Sequence, residues 1–180
     1  MLDRFISNWA YAAPTVAVLL LGLYPFFQPN ISLPVFLALP VYMLHQYEEH
    51  DDNRFALFLI EILGEGREGL GPTALWTINI IFVWFALLAV FYSAAVYPEW
   101  GVLAAYLLLT NGLLHIAWLF AFRKYNPGLW TAFILFIPLS LWIFATTPAS
   151  ISTHLICLAI VVLLQAGFLL YGRRPKVGKH

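Results

Sequence analysis

His45-Gln-Tyr-Glu48-Glu49-His50 places four ionisable side chains at the end of a segment that otherwise belongs in hydrocarbon. Such groups are costly inside a membrane and tend to mark function. At about 100° per residue on a helix, His45, Glu48 and Glu49 (i, i+3, i+4) share one face, and His50 points away from it toward water. One imidazole and two carboxylates then converge. Carboxylate oxygen and neutral imidazole nitrogen suit one divalent metal, zinc or iron, and the same trio suits proton transfer without a metal. The spelling leaves both open.

The elements that must position this trio follow from composition. With 62% hydrophobic and 10% charged residues and a mean hydropathy of +0.84, the chain reads as an integral membrane protein. Its zero net charge says little, because nine basic and nine acidic residues cancel while lying in different places. A lone cysteine, Cys157, excludes an internal disulfide and sits in an apolar run where a packing role suffices. No basic aromatic patch points to nucleic acid. Residues 64–69 spell GxGxxG, but no strand precedes them and acidic residues stand where a phosphate would sit. That stretch reads as a flexible connector, poised over any site at that surface.

Windows of about 20 apolar residues cross a bilayer, and the spacing predicts six, near residues 9–28, 32–50, 73–96, 99–122, 128–147 and 149–171. The first is too long and too aromatic for a cleaved signal and reads as a retained span. Residues 53–63 are apolar but too short to cross, which predicts an interfacial helix. The expected fold is therefore all-α, a single polytopic bundle over residues 1–180 with about six transmembrane helices and one short interfacial helix. With a cytoplasmic N-terminus, all nine Lys and Arg fall in cytoplasmic segments and none in the opposite loops, so both termini are expected inside. In a bacterium this would be the cytoplasmic membrane.

Depth then groups the polar residues. At a rise of about 1.5 Å per residue, His45, Asn79 and His115 lie about 9 to 12 Å from the cytoplasmic ends of their helices. Asn111 precedes His115 by one turn on the same face, with Trp118 on the turn beyond. Lipid satisfies no polar group, so a shared pocket is expected, with His45, Glu48, Glu49 and His115 as metal ligands and Glu48, Glu49, Asn79 and Asn111 as catalytic candidates. Interhelical bonding alone would equally explain Asn79 or Asn111. His154, near the opposite surface, reads as interfacial.

The chain resembles the integral membrane proteins named for their HXXEE motif, a family without an assigned function. His45, Glu48 and Glu49 carry the motif, Asn111 and His115 an Asn-x-x-x-His motif, and Tyr125-Asn-Pro127-Gly128-Leu-Trp-Thr131 a Tyr-x-Pro-Gly-x-x-Thr motif. The resemblance covers about residues 35–140 and implies that these positions matter, which adds Tyr125 to the catalytic candidates, although a phenol at headgroup level beside Arg123 and Lys124 is also a sufficient reading of it. For Pro127 and Gly128 a turn before the fifth span is a sufficient reading. The pattern is neither HExxH nor the multi-histidine box of membrane oxygenases.

Two His, one carboxylate and a water form a common catalytic set. The leading expectation is an intramembrane enzyme of hydrolase or isomerase/cyclase type, acting on a small lipophilic or amphipathic substrate among membrane lipids. Its metal-free variant pairs a buried carboxylate with a histidine. A cation or proton transporter or sensor built on the same cluster, and a non-enzymatic assembly subunit, are the alternatives.

Overall fold

The computed structural model describes residues 2–63 and 71–172. The expectations for the connector over residues 64–70 and for the basic tail from residue 173 lie outside the described residues. Seven helices follow in order: α1 (Leu2–Phe27), α2 (Leu33–His50), α3 (Arg54–Leu63), α4 (Pro72–Trp76, then Thr77–Trp84, then Phe85–Val96), α5 (Val102–Phe122), α6 (Leu129–Thr131, then Ala132–Phe136, then Ile137–Thr146) and α7 (Ile151–Gly172). Among the described residues, every regular element is helical.

Local chemistry sets the breaks. Pro34 and Pro72 sit in the first turns of α2 and α4, where a missing N–H costs nothing. Between α2 and α3 the chain reverses through Asp52 and Asn53 at φ 52° and 57°, a region that Asp and Asn tolerate better than most residues. α5 stops at Arg123 (φ 52°), and Gly128 (φ 91°) opens α6.

The middle stretches of α4 and α6 are π-helical. In α4, Thr77 Oγ1 donates to the Thr73 carbonyl and Asn79 Nδ2 to the Leu75 carbonyl, competing with the helix ladder. In α6, Pro138 removes a backbone donor just beyond Ala132–Phe136. Both widened turns lie at the level of the polar residues, where such bulges often serve a site.

Small residues let the helices close. Ala13 and Ala17 of α1 and Ala104 and Ala105 of α5 are fully buried or nearly so, as is usual where membrane helices approach. At Gly112 of α5 a Cβ would stand 3.0 Å from the Ile137 Cδ1 methyl and 3.5 Å from Phe136 Cβ, so α5 and α6 cross there. The outer surface is apolar: Val18, Phe120 and Leu163 are 65%, 75% and 72% exposed.

Among the described residues, five helices, α1 and α4 to α7, are long and apolar enough to cross a membrane. α2 occupies the place of the expected second span but is not among the five, because its last turns carry the His/Glu cluster. The short helix expected over residues 53–63 is α3. Phe58 and Leu59 pack it on Trp118 of α5, Lys124 pairs with Glu61, and Leu57 and Ile60 face outward.

Candidate metal centre

α2 delivers His45 and Glu49 from successive turns of one face, and α5 brings His115 opposite them. Glu49 Oε1 lies 3.2 Å from His115 Nε2 and 3.4 Å from His45 Nε2, and the two imidazole rings stand 4.9 Å apart at 82°. All three residues are buried, at 5%, 1% and 0% exposure. Ligand atoms about 2.0–2.2 Å from a tetrahedral ion stand about 3.3–3.5 Å apart, so these separations match a metal site. Among the described residues, His45, Glu49 and His115 form a group whose ligand atoms all lie within 4.8 Å of one another.

The hydrogen bonds behind the rings decide where their protons sit. Asn126 Nδ2 donates to the His115 carbonyl at 3.0 Å, which leaves Asn126 Oδ1 to accept His115 Nδ1–H at 2.6 Å. Thr131 has one hydroxyl hydrogen. It goes to Glu48 Oε2 at 2.6 Å, because a carboxylate only accepts, so Thr131 Oγ1 accepts His45 Nδ1–H at 2.8 Å. Each ring therefore carries a proton on Nδ1, so that in its neutral form it presents Nε2 as an electron-pair donor toward Glu49 Oε1, and His45 Nε2 has no hydrogen-bond partner. Three electron-pair donors facing one point are mutually repulsive until a cation joins them. A metal ion satisfies all three, and the Nδ1 partners are the orienting bonds that ligating histidines typically make.

Glu48, one residue from Glu49, lies outside this group. Oε2 accepts from the Thr131 N–H (2.8 Å) and hydroxyl, and Oε1 from the Tyr125 hydroxyl (2.7 Å) and the Trp130 N–H (3.2 Å). It thus sits at the N-terminus of α6, where unpaired N–H groups favour an anion. Burial, and then the adjacent Glu48 carboxylate, raise the pKa of the Tyr125 phenol, which stays a donor.

Asn79 reaches this group only through His50, and Asn111 lies one turn from His115. Asn79 belongs to a directed chain that starts at an indole, which can only donate: Trp84 Nε1–H to Gln46 Oε1 (2.5 Å), Gln46 Nε2–H to Asn79 Oδ1 (2.8 Å), Asn79 Nδ2–H to His50 Nε2 (3.0 Å). Asn111 Nδ2 donates to the Tyr42 hydroxyl at 2.8 Å, one turn deeper than His115. His50, which helical periodicity assigned to water, is buried, with Nε2 3.6 Å from Glu49 Oε2. Trp9 of α1, 5.1 Å from it ring to ring, and Asn79 of α4 cover that side. His154 bonds Tyr106 at 3.0 Å near the far end of the bundle.

Sequence reasoning missed three things. Gln46 lies inside the opening hexapeptide and is fully buried; any amide in a span needs partners, and that was its signal. Asn126, also fully buried, had no periodicity to betray it. Gly128 is more than a turn: a Cβ there would stand 2.7 Å from Glu49 Cγ, 2.7 Å from His45 Cε1 and 2.8 Å from His115 Cε1. Only a residue without a side chain lets the start of α6 close over all three ligands.

Beside Glu49 opens a cavity of about 250 Å³. Its walls are mainly apolar, with Phe55 and Leu59 from α3, Phe82 and Ala86 from α4, Trp118 from α5 and Phe168 from α7, and Asn79, Asn111 and Gln165 among them. Among the described residues, Glu49 is the one carboxylate in its lining.

A family model described as "Protein of unknown function with HXXEE motif" matches residues 36–143, from α2 to the last turns of α6. No curated protein and no solved structure matches the chain.

Proposed function

We propose that this chain, which belongs to the family of proteins of unknown function with the HXXEE motif, is an intramembrane enzyme that holds one divalent metal, zinc or iron, on His45, Glu49 and His115. Its substrate is a lipid-soluble or amphipathic small molecule taken into the adjoining cavity. The observation that carries this reading is the pair of Nε2 atoms aimed at one buried carboxylate oxygen, each ring held from behind through Nδ1.

Two imidazoles and a carboxylate leave coordination positions free, as catalytic rather than structural sites do. When bound, such an ion polarises a carbonyl or lowers the pKa of a water. The chain's own residues do the rest. Asn126 and, through Thr131, Glu48 hold the two rings at fixed angles. Gly128 and Phe136, whose ring lies 4.2 Å from that of His45, exclude water from one side. The apolar cavity binds the substrate on the other and keeps the dielectric low. Glu48, committed to four hydrogen bonds at α6, acts in this reading by positioning.

The same reading makes α2 a sixth span, with the site in the cytoplasmic leaflet and both termini cytoplasmic. The one-sided distribution of all nine Lys and Arg supports it.

The test is elemental analysis of the purified protein under non-chelating conditions, beside His45→Ala, His115→Ala and Glu49→Gln. One zinc or iron per chain, lost in each variant, is expected. No stoichiometric metal in the unmodified protein would sink the proposal, and cation flux into liposomes that His45→Ala abolishes would replace the enzyme with a transporter.

A further inference from the structure

The mouth of the cavity says how its ligand arrives. Phe82 of α4, Phe122 at the end of α5 and Leu169 of α7 line it and are also exposed on the outer surface, at 51%, 41% and 42%. All three are apolar, and in a membrane that surface meets acyl chains. The cytoplasmic side is closed by α3, whose Phe55 and Leu59 form part of the lining and which Trp118 and the Lys124–Glu61 pair hold in place. The way in is sideways, between α4 and α7, where the rings of Phe82 and Phe168 meet edge to face at 5.9 Å.

The inner end is different in kind. Glu49, Asn79 and Asn111 lie there, and the Glu49 carboxylate is a group that, ionised, only accepts hydrogen bonds. A ligand head that meets it is therefore matched by a donor. Among the described residues the lining contains no Lys or Arg, so these side chains offer no counter-charge to an anionic head. The volume, about 250 Å³, falls below the roughly 300–1,000 Å³ of drug-sized sites and suits one chain rather than two.

We infer that the ligand is a single-chain lipid with an uncharged, hydrogen-bond-donating head, an alcohol or amide, which enters from the cytoplasmic leaflet between α4 and α7. The chain lies along Phe82, Ala86, Leu164 and Phe168, and the head rests at Asn111 and Glu49. This rests on the metal reading for the fate of the head, but the binding site stands or falls separately.

The experiment uses the purified protein in vesicles with a diazirine-bearing long-chain primary alcohol as probe, irradiated and mapped by peptide mass spectrometry, with metal content measured on the same samples. Adducts are expected on residues 78–86 and 164–169, competed by the unlabelled alcohol and not by the fatty acid of equal length. Ala86→Trp and Leu164→Trp, one from each wall, should each cut labelling about tenfold by filling the space, with bound metal unchanged. Labelling that persists in both variants, or that the fatty acid competes equally, overturns the inference. Adducts in the expected pattern on a protein without metal would keep the lipid site and remove the metal reading.

Discussion

Gly128→Ala probes the closure of α6 over the ligands with a single methyl group. The backbone there has φ 91°, where an L side chain costs about 1–3 kcal/mol. The new Cβ would lie at 2.7, 2.7 and 2.8 Å from carbons of Glu49, His45 and His115. That is about 0.7 Å or more inside the roughly 3.5–4.0 Å contact of two carbons. None of the three can yield cheaply. His45 and His115 are tied through Nδ1 to Thr131 and Asn126, and Glu49 is buried between them. Overpacking of this kind costs about 1–3 kcal/mol, so the total is about 2–6 kcal/mol. Metal coordination tolerates displacements of only about 0.2 Å, so a shift of a few tenths of an ångström in the ligands should weaken binding at least about tenfold. The assay is metal content after dialysis against a graded chelator series, with thermal unfolding in detergent on the same preparation. Gly112→Ala is the comparison: its Cβ meets the free Ile137 Cδ1 methyl at 3.0 Å, and it should lose about 1 kcal/mol and keep its metal. Gly128→Ala with the metal affinity and melting temperature of the unmodified protein would refute the geometry on which the site is built.

Three further substitutions separate ligand, orienting and structural roles. Asn126→Ala removes the acceptor of His115 Nδ1–H and should weaken metal binding about 10–100-fold, less than His115→Ala, in the same chelator titration. Thr131→Val breaks the bridge from His45 to Glu48 and should have an effect of similar size; unchanged affinity would mean that the His45 ring needs no such anchor. Trp84→Phe strands the buried Gln46 oxygen and should cost about 1–3 kcal/mol in thermal stability while leaving metal content alone, which places the Trp84–Gln46–Asn79 chain in the scaffold.

Much of this was legible in the sequence because two periodicities carry it. The hydropathy windows located the helices, and the i, i+3, i+4 spacing with equal depths grouped His45, Glu48, Glu49, Asn79 and His115, of which the structure brings His45, Glu49 and His115 within ligand distance of one another. The division of labour between Glu48 and Glu49 was not legible. Both fall within the same helical face, and which one meets the second imidazole depends on α5 and α6, elements more than fifty residues away. His50 was misread for a related reason: a helical wheel shows where a side chain points but not what another helix lays over it, here Trp9 and Asn79. Asn126 escaped because a loop residue has no period. The π-helical turns in α4 and α6 arise from side chains competing for carbonyls and from a proline downstream, effects that hydropathy does not register.

The three motifs are better understood as one object. Glu48 and Tyr125 meet across 77 residues and Glu48 and Thr131 across 83. The start of α6 is thus bound to the end of α2 by the acidic residue that does not face the proposed metal position. That junction is what lowers Gly128 onto the imidazoles, and the hydroxyl that completes it, Thr131, is the one that fixes the His45 tautomer. Two adjacent glutamates are therefore needed for two reasons. Glu49 supplies charge at the point where the rings converge, and Glu48 supplies charge at the α6 N-terminus, about 100° around the helix. Exchanging their roles would aim a carboxylate at backbone N–H groups from the wrong side and leave both Nε2 atoms facing nothing. The order His-x-x-Glu-Glu, with Tyr-x-Pro-Gly-x-x-Thr far downstream, follows from that geometry: a pair of proposed ligands on successive turns, a clamp beside it, and a glycine that the clamp brings close.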